Sequence, residues 1–357
     1  MPFRDIAGHR SVLTLLSRAV MRESFLPTLL FVGPNGVGKR RTAMALAKAV
    51  NCEKLVSSKI DSAYPTAGRK SDTSDVGVDA CGQCESCQRI DRKLHADVLL
   101  VASGENEPIK IEQIRPAIEH SSYRPFEGRR RCVIIDDADM LVFPAQNALL
   151  KTLEEPPPTS LFVLVSARPD TLLTTVRSRC PQFRFGPLTP AEIAAVLVRS
   201  PHNYSETDAN ITAASADGSL KAAVDANTDE VSRARDVAVR TLLALAAADS
   251  PKRRLACAQV LVKKENKQER AIKDRDLLVP RLRALTSILR DVGIFSIRGN
   301  DKVLANADLG DELQRMTMSY DSDRVIHGFS AVGRALYAIA ERNANPKIVA
   351  NWLMLQL

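Results

Sequence analysis

The sequence predicts an α/β domain built on a parallel sheet, followed by chain that is helical throughout. Three observations carry this expectation. Apolar runs at 28–32, 132–135 and 161–165 read as buried strands separated by stretches with helical spacing. A glycine-rich segment joins the first of these strands to a helix. Beyond about residue 229 strand signals almost vanish, and Ala- and Leu-rich runs take over at 237–248 and 332–341. Strands that alternate with helices imply a parallel sheet whose carboxyl ends hold the ligand.

With 357 residues, 45% of them hydrophobic and 26% charged, the chain is long enough for two or three domains with cores to bury. It lacks the run of about 18 apolar residues that a membrane helix needs, and Arg4, Asp5, His9 and Arg10 stand where a signal peptide would be apolar. The expectation is a cytoplasmic protein with no membrane partner. A net charge of +8 suits work near nucleic acid, while 4% aromatics argues against base stacking as the main mode of binding.

In chain order, Thr28–Val32 is the first buried strand and Lys39–Val50 carries apolar residues at helical spacing. Between them lies Gly33-Pro34-Asn35-Gly36-Val37-Gly38-Lys39. In such a loop the backbone N–H groups cradle phosphates and the lysine reaches the terminal ones. The next residue is Arg40, where the full G-x-x-x-x-G-K-[ST] pattern has a hydroxyl that holds Mg²⁺. Thr42 does not replace it, because two steps along a helix turn a side chain about 200° away. The site is built for phosphate and spoiled for hydrolysis.

Cys52 and Cys81-x-x-Cys84-x-x-Cys87 supply four thiolates, the number that a closed tetrahedral structural zinc site uses. The same alternation also serves iron–sulfur clusters. Residues 55–80 are rich in Ser, Asp, Lys and Gly, which predicts a long mobile insertion with the zinc pinning both its ends. Cys132, Cys180 and Cys257 read as small buried apolar residues.

Pro116 interrupts the helical pattern of 111–120 and predicts a kink or a late start. Arg129-Arg130-Arg131 is either a phosphate contact or a solvated entry to the second strand, Cys132–Ile135. That strand ends in Asp136-Asp137-Ala138-Asp139. Asp136 stands where a carboxylate helps to hold the metal, or else pairs with Lys39. Asp137 fills the slot of the glutamate that polarises attacking water, with a shorter side chain. Asp139 reads as solvated. A short helix over 146–155 stops at Pro156-Pro157-Pro158. Thr189-Pro190-Ala191-Glu192 is a helix start with a capping box, so the domains divide as 1–188, 189–228 and 229–357. Trp352, with Leu353, Leu355 and Leu357, reads as a packing anchor for the last helix.

The stretch Leu149-Leu150-Lys151-Thr152-Leu153-Glu154-Glu155-Pro156-Pro157, followed by Arg177-Ser178-Arg179-Cys180, closely resembles the bacterial clamp-loader subunits of the replicative DNA polymerase, an AAA+ family. The resemblance covers the first 225 residues well, including the loop, the four cysteines and His95-Ala96-Asp97, and is looser beyond residue 230. It implies an AAA+ P-loop domain with a zinc module, a small helical lid at 189–228 and an all-helical collar at 229–357. Within the family, Arg40 and Asp137 point to the delta-prime branch, whose loop is often degenerate, and away from the hydrolysing gamma or tau subunits. The resemblance further implies that Arg179 is an arginine finger reaching nucleotide on a neighbouring subunit. Ser166 matches a polar sensor of the γ-phosphate. Gly218-Ser219-Leu220-Lys221 matches the lid motif, with Lys221 in place of the usual arginine.

The resemblance implies a stator subunit of the clamp loader within DNA polymerase III holoenzyme, with little or no ATPase activity of its own. Its implied partners are gamma or tau and delta subunits in a hetero-pentamer, the sliding clamp, and primed-template DNA through the assembly. Structural Zn²⁺ is the expected cofactor, and ATP with Mg²⁺ is doubtful in its own site. Two other readings stay open: an active gamma/tau-like motor subunit, and a zinc-containing DNA-binding module.

Overall fold

The computed structural model describes residues 1–24, 26–59, 76–104, 107–199, 201–226, 228–264, 273–298, 304, 306–340 and 342–357. The chain divides into two compact units, Met1–Glu192 with Ser219–Lys221, and Ile193–Gly218 with Ala222–Leu357.

The strands of the amino-terminal unit are β1 (Thr28–Val32), β2 (Val56–Lys59), β3 (Val76–Asp79), β4 (Val98–Val101), β5 (Arg131–Ile135), β6 (Ser160–Ser166) and β7 (Gln182–Arg184). Five of them form one sheet in the order β4-β5-β6-β1-β7, and every pairing in it is parallel. Its apolar residues split by the two-residue period of a strand. Leu29, Phe31, Ile134 and Val163 pack on one face with Leu13, Leu16 and Leu46. Leu30, Val133, Phe162 and Leu164 pack on the other with Ile114, Leu149 and Val176. A sheet covered on both faces reads as continuous apolar runs, which is why β1, β5 and β6 are visible in the sequence. The runs of β4 and β7 are shorter and partly exposed, and neither is predicted from its sequence.

The covering helices are α1 (Arg10–Met21), α2 (Lys39–Asn51), α3 (Glu85–Asp91), α4 (Ile111–Ser122), α5 (Phe143–Glu154) and α6 (Thr174–Arg177). Register sets the site: Val32 pairs with Ser166 and Ile135 with Leu164. The loop after β1, the acidic end of β5 and the end of β6 therefore lie side by side at the carboxyl edge.

Two expectations are corrected. The ends of the insertion at 55–80 are ordered: β2 and β3 pair antiparallel, Val56 with Asp79 through Lys59 with Val76, and Ser17 of α1 donates to the Val78 carbonyl at 2.7 Å. The remainder of that insertion lies outside the described residues. Helix α4 runs through Pro116 with no late start; the carbonyl that loses its N–H partner is that of Glu112, on an exposed part of the helix open to solvent. The capping box at 189–192 forms as expected, Thr189 N–H donating to Glu192 at 2.9 Å and Glu192 N–H to the Thr189 hydroxyl at 3.2 Å. It opens α7 (Pro190–Val198).

The carboxy-terminal unit is helical: α8 (Glu206–Ser215), α9 (Leu220–Asp225), α10 (Thr228–Ala246), α11 (Pro251–Val262), α12 (Asp274–Arg298), α13 (Gly310–Thr317), α14 (Ser322–Ala340) and α15 (Pro346–Gln356). Leu242, Leu285, Leu289, Val332 and Leu353 belong to its core, with Trp352 packed against it as expected. Leu355 is exposed at 43% and takes no part in that anchor. Arg281 is buried, yet it donates to the carbonyls of Leu261 and Lys263 at 2.8 Å each, so a core guanidinium caps the end of α11. Among the described residues no helix is long and apolar enough to cross a membrane.

Candidate phosphate loop and cysteine cluster

The loop at 33–39 takes its shape from glycines. Gly33, Gly36 and Gly38 have φ of 149°, 77° and 108°, a region that side chains rarely enter. A Cβ on Gly33 would stand 2.1 Å from the Phe185 carbonyl oxygen, and one on Gly36 2.1 Å from the Ser219 hydroxyl. His9 braces the loop from outside, its Nε2 2.8 Å from the Val37 carbonyl. The carbonyl can only accept, so Nε2 is the donor, and burial keeps the imidazole pKa below its ordinary value. Lys221 N–H donates to the Gly36 carbonyl at 3.1 Å, so the segment 219–221 closes on the loop.

Lys39 is buried and folds back on its own loop, donating to the carbonyls of Gly33 and Pro34 at 2.6 Å each. Burial lowers its pKa against the pull of Asp139, Asp136 and Asp137. It does not pair with Asp136. Arg40 does, with Nη1 3.2 Å from Oδ2. Burial and the neighbouring Asp137 raise the Asp136 carboxyl, and Arg40 pulls it back. Thr42 is fully buried and donates to the Gly38 carbonyl at 3.1 Å, so its hydroxyl stays out of the site. These residues do not fit a magnesium ion: the hydroxyl that would bind it is missing, and its carboxylate holds a guanidinium.

The other acids have separate tasks. Asp137, in the left-handed region at φ 53°, accepts from the Ser103 hydroxyl at 2.9 Å. Asp139 is not solvated. Its side chain is 8% exposed, and one oxygen accepts from the Ser166 hydroxyl and the Ala167 N–H at 3.0 Å each, because the turn after β6 needs an acceptor there. Ser166 thus stands at the strand end with its proton committed.

Arg179 follows α6. Its guanidinium donates to the Thr175 carbonyl at 2.7 Å and pairs with Glu154 at the end of α5. Both side chains are partly exposed, at 31% and 47%. The backbone here is tied down, since Thr28 donates to the Arg179 carbonyl at 2.8 Å and Cys180 is buried. Cys132 and Cys257 are buried too, in line with expectation.

The sulfur atoms of Cys52, Cys81, Cys84 and Cys87 all lie within 4.8 Å of one another. A tetrahedron of metal–sulfur bonds of about 2.3 Å has edges of about 3.8 Å, so the cluster fits a thiophilic metal ion with little adjustment. Cys52 and Cys84 are 3.9 Å apart. Backbone N–H groups of Gln83 and Cys84 point at the Cys81 sulfur at 3.4 and 3.3 Å. Burial opposes ionisation of the Cys81 thiol, but those donors outweigh it and bring its pKa down to about 6. Burial pushes Cys52 and Cys87 up. The module is moored by Asp79, fully buried, which accepts from the N–H groups of Phe3 and Arg4 at 2.9 and 3.1 Å.

Sequence reasoning missed the anchors. Asp97, fully buried, accepts from the N–H groups of Phe126, Glu127 and Gly128 at 2.7–2.8 Å. Asn51 accepts from those of Arg129 and Arg130 at 2.8 and 2.9 Å. A polar residue flanked by an apolar strand start is the signal that marks Asp97, but nothing in the sequence names its acceptor role.

The family model described as DNA polymerase III, delta subunit, matches residues 8–189. The tau subunit of DNA polymerase III from Salmonella typhimurium is 31% identical over 243 residues, covering 67% of this chain and 34% of that protein. The tau subunit from Bacillus subtilis is 29% identical over 239 residues, covering 66% and 38%. The chain thus spans little more than a third of the length of these relatives. The structure of a DNA polymerase III gamma subunit-related protein from Thermotoga maritima aligns over 97% of both chains, at 17% identity and a TM-score of 0.44.

Proposed function

The chain belongs to the DNA polymerase III, delta subunit family, and from that premise we propose that it is a delta-prime-type stator of a clamp loader. In this reading it assembles with gamma or tau and delta subunits into a hetero-pentamer in the cytoplasm, which opens the sliding clamp and places it on primed DNA. The lid at 189–228 and the collar at 229–357 serve that assembly. Ser166 and Lys221 serve as the γ-phosphate sensor and lid residues in this reading, and the four cysteines hold structural zinc.

One observation carries the reading: Arg40 occupies Asp136, while Arg179 sits on a partly exposed pair with Glu154. The first removes the metal that hydrolysis needs. The second is cheap to break, because an exposed ion pair contributes about 0–1 kcal/mol. A neighbouring triphosphate offers Arg179 more charge than Glu154 does, and the guanidinium then neutralises charge developing on the transferred phosphoryl group. Such a finger contributes roughly 10³ to 10⁵ in rate at its own site.

The test is clamp- and DNA-stimulated ATPase of a loader reconstituted from cognate subunits, with this chain as wild type and as Arg179→Ala, beside the chain alone. The expected outcome is an inert isolated chain and a large fall in the assembly's rate on substitution, at unchanged subunit stoichiometry. Normal turnover with Arg179→Ala in an intact assembly sinks the finger.

A further inference from the structure

The degenerate loop keeps most of what a triphosphate needs. Its three glycines hold the cradle conformation, Lys39 is in place, and the backbone of Lys221 is docked on Gly36. Where the pattern has a metal-binding hydroxyl, the chain carries a cation of its own, Arg40, paired with Asp136. In P-loop proteins the divalent ion bridges a carboxylate and the phosphates. Here Asp136 has Arg40 on it. A guanidinium carries five N–H donors, and Arg40 Nη1 supplies its hydrogen bond to Asp136. A planar donor fork binds phosphate in two-point fashion while one edge stays on a carboxylate. Asp137 and Asp139 are occupied by Ser103, Ser166 and the Ala167 N–H, so Asp136 is the carboxylate left to anchor the bridge. Lys39 need only exchange the Gly33 and Pro34 carbonyls for phosphate oxygens.

We propose that this loop binds a nucleoside triphosphate without a divalent metal, Arg40 standing in for the ion between Asp136 and the phosphates. The inference deepens the reading of the chain as a non-hydrolysing subunit and rests on that reading for its purpose: the nucleotide is a fixed structural ligand, bound and not turned over. The bridge also explains why the loop retains Lys39 and its glycines after losing the hydroxyl.

The experiment titrates the full chain with a fluorescent ATP analogue, once with excess EDTA and once with Mg²⁺. Wild type is expected to bind equally in both, within about twofold, and Lys39→Ala to lose binding in both. Arg40→Ser, which restores the missing hydroxyl and touches a side chain that is 44% exposed, is expected to bind at least about tenfold more weakly in EDTA than in Mg²⁺, a difference of ~1.4 kcal/mol. Binding by wild type that requires Mg²⁺, absence of binding in both media, or an Arg40→Ser variant still indifferent to the metal each overturns the proposal. None of these results touches the Arg179→Ala comparison in the assembled loader, so the two ideas fail separately.

Discussion

Asp97 shows how one side chain can fix a stretch of surface. Burial opposes its charge, but three backbone N–H groups and Arg131 outweigh that and hold its carboxyl below the usual range. An acid whose pKa is lower folded than unfolded stabilises the fold above the ordinary carboxylate value of about 4, and the contribution is lost as pH falls through the lowered value. Asp97→Asn, whose amide turns N–H groups toward other N–H groups, should cost about 2–4 kcal/mol in denaturant unfolding. The variant should also lose less stability than wild type on acidification. Gly36→Ala should cost at least ~1 kcal/mol, because φ is 77° and the Ser219 hydroxyl fills the space. At this scale residue identities were legible and pairings were not. Arg40 announces a missing hydroxyl from its position alone, but its contact with Asp136 spans 96 positions. Only the register of β1, β5 and β6 brings the two together.

Elements were legible where a single physical signal defined them. The capping box marked α7 to the residue, and β1, β5 and β6 showed as unbroken apolar runs. The β2–β3 ribbon was hidden because its strands flank a polar insertion, and composition over 55–80 averages Val56, Val76 and Val78 away. The cysteine module joins that ribbon to α2 and α3 and should behave as one unit with its metal. One zinc per chain with thiolate coordination is expected from metal analysis and absorption of a cobalt-substituted sample. Cys84→Ser should lower both occupancy and the melting temperature, since a structural site contributes its binding energy to folding. A purified chain that is fully folded and metal-free would count against the site.

The amino-terminal unit carries four cysteines that could hold a metal ion, and the other unit has no such cluster among its described residues. Calorimetry of the full chain should therefore show a chelator lowering the transition of the amino-terminal unit while the helical unit's melting is unchanged. A uniform shift of all unfolding would mean that the two melt as one. The sequence marked the start of helical chain near residue 190 through the capping box at 189–192. The boundary in space was not marked, since Ser219–Lys221 returns to the phosphate loop from within helical chain.

Lys59 and Val76 pair across the β2–β3 ribbon, so the two ends of the intervening segment are held at one point. Lengthening a loop closed in this way costs only ~0.6 kcal/mol per doubling. The ribbon is thus a port: sequence can be spliced in, trimmed or exchanged beyond it while the sheet, the phosphate loop and the cysteines keep their places.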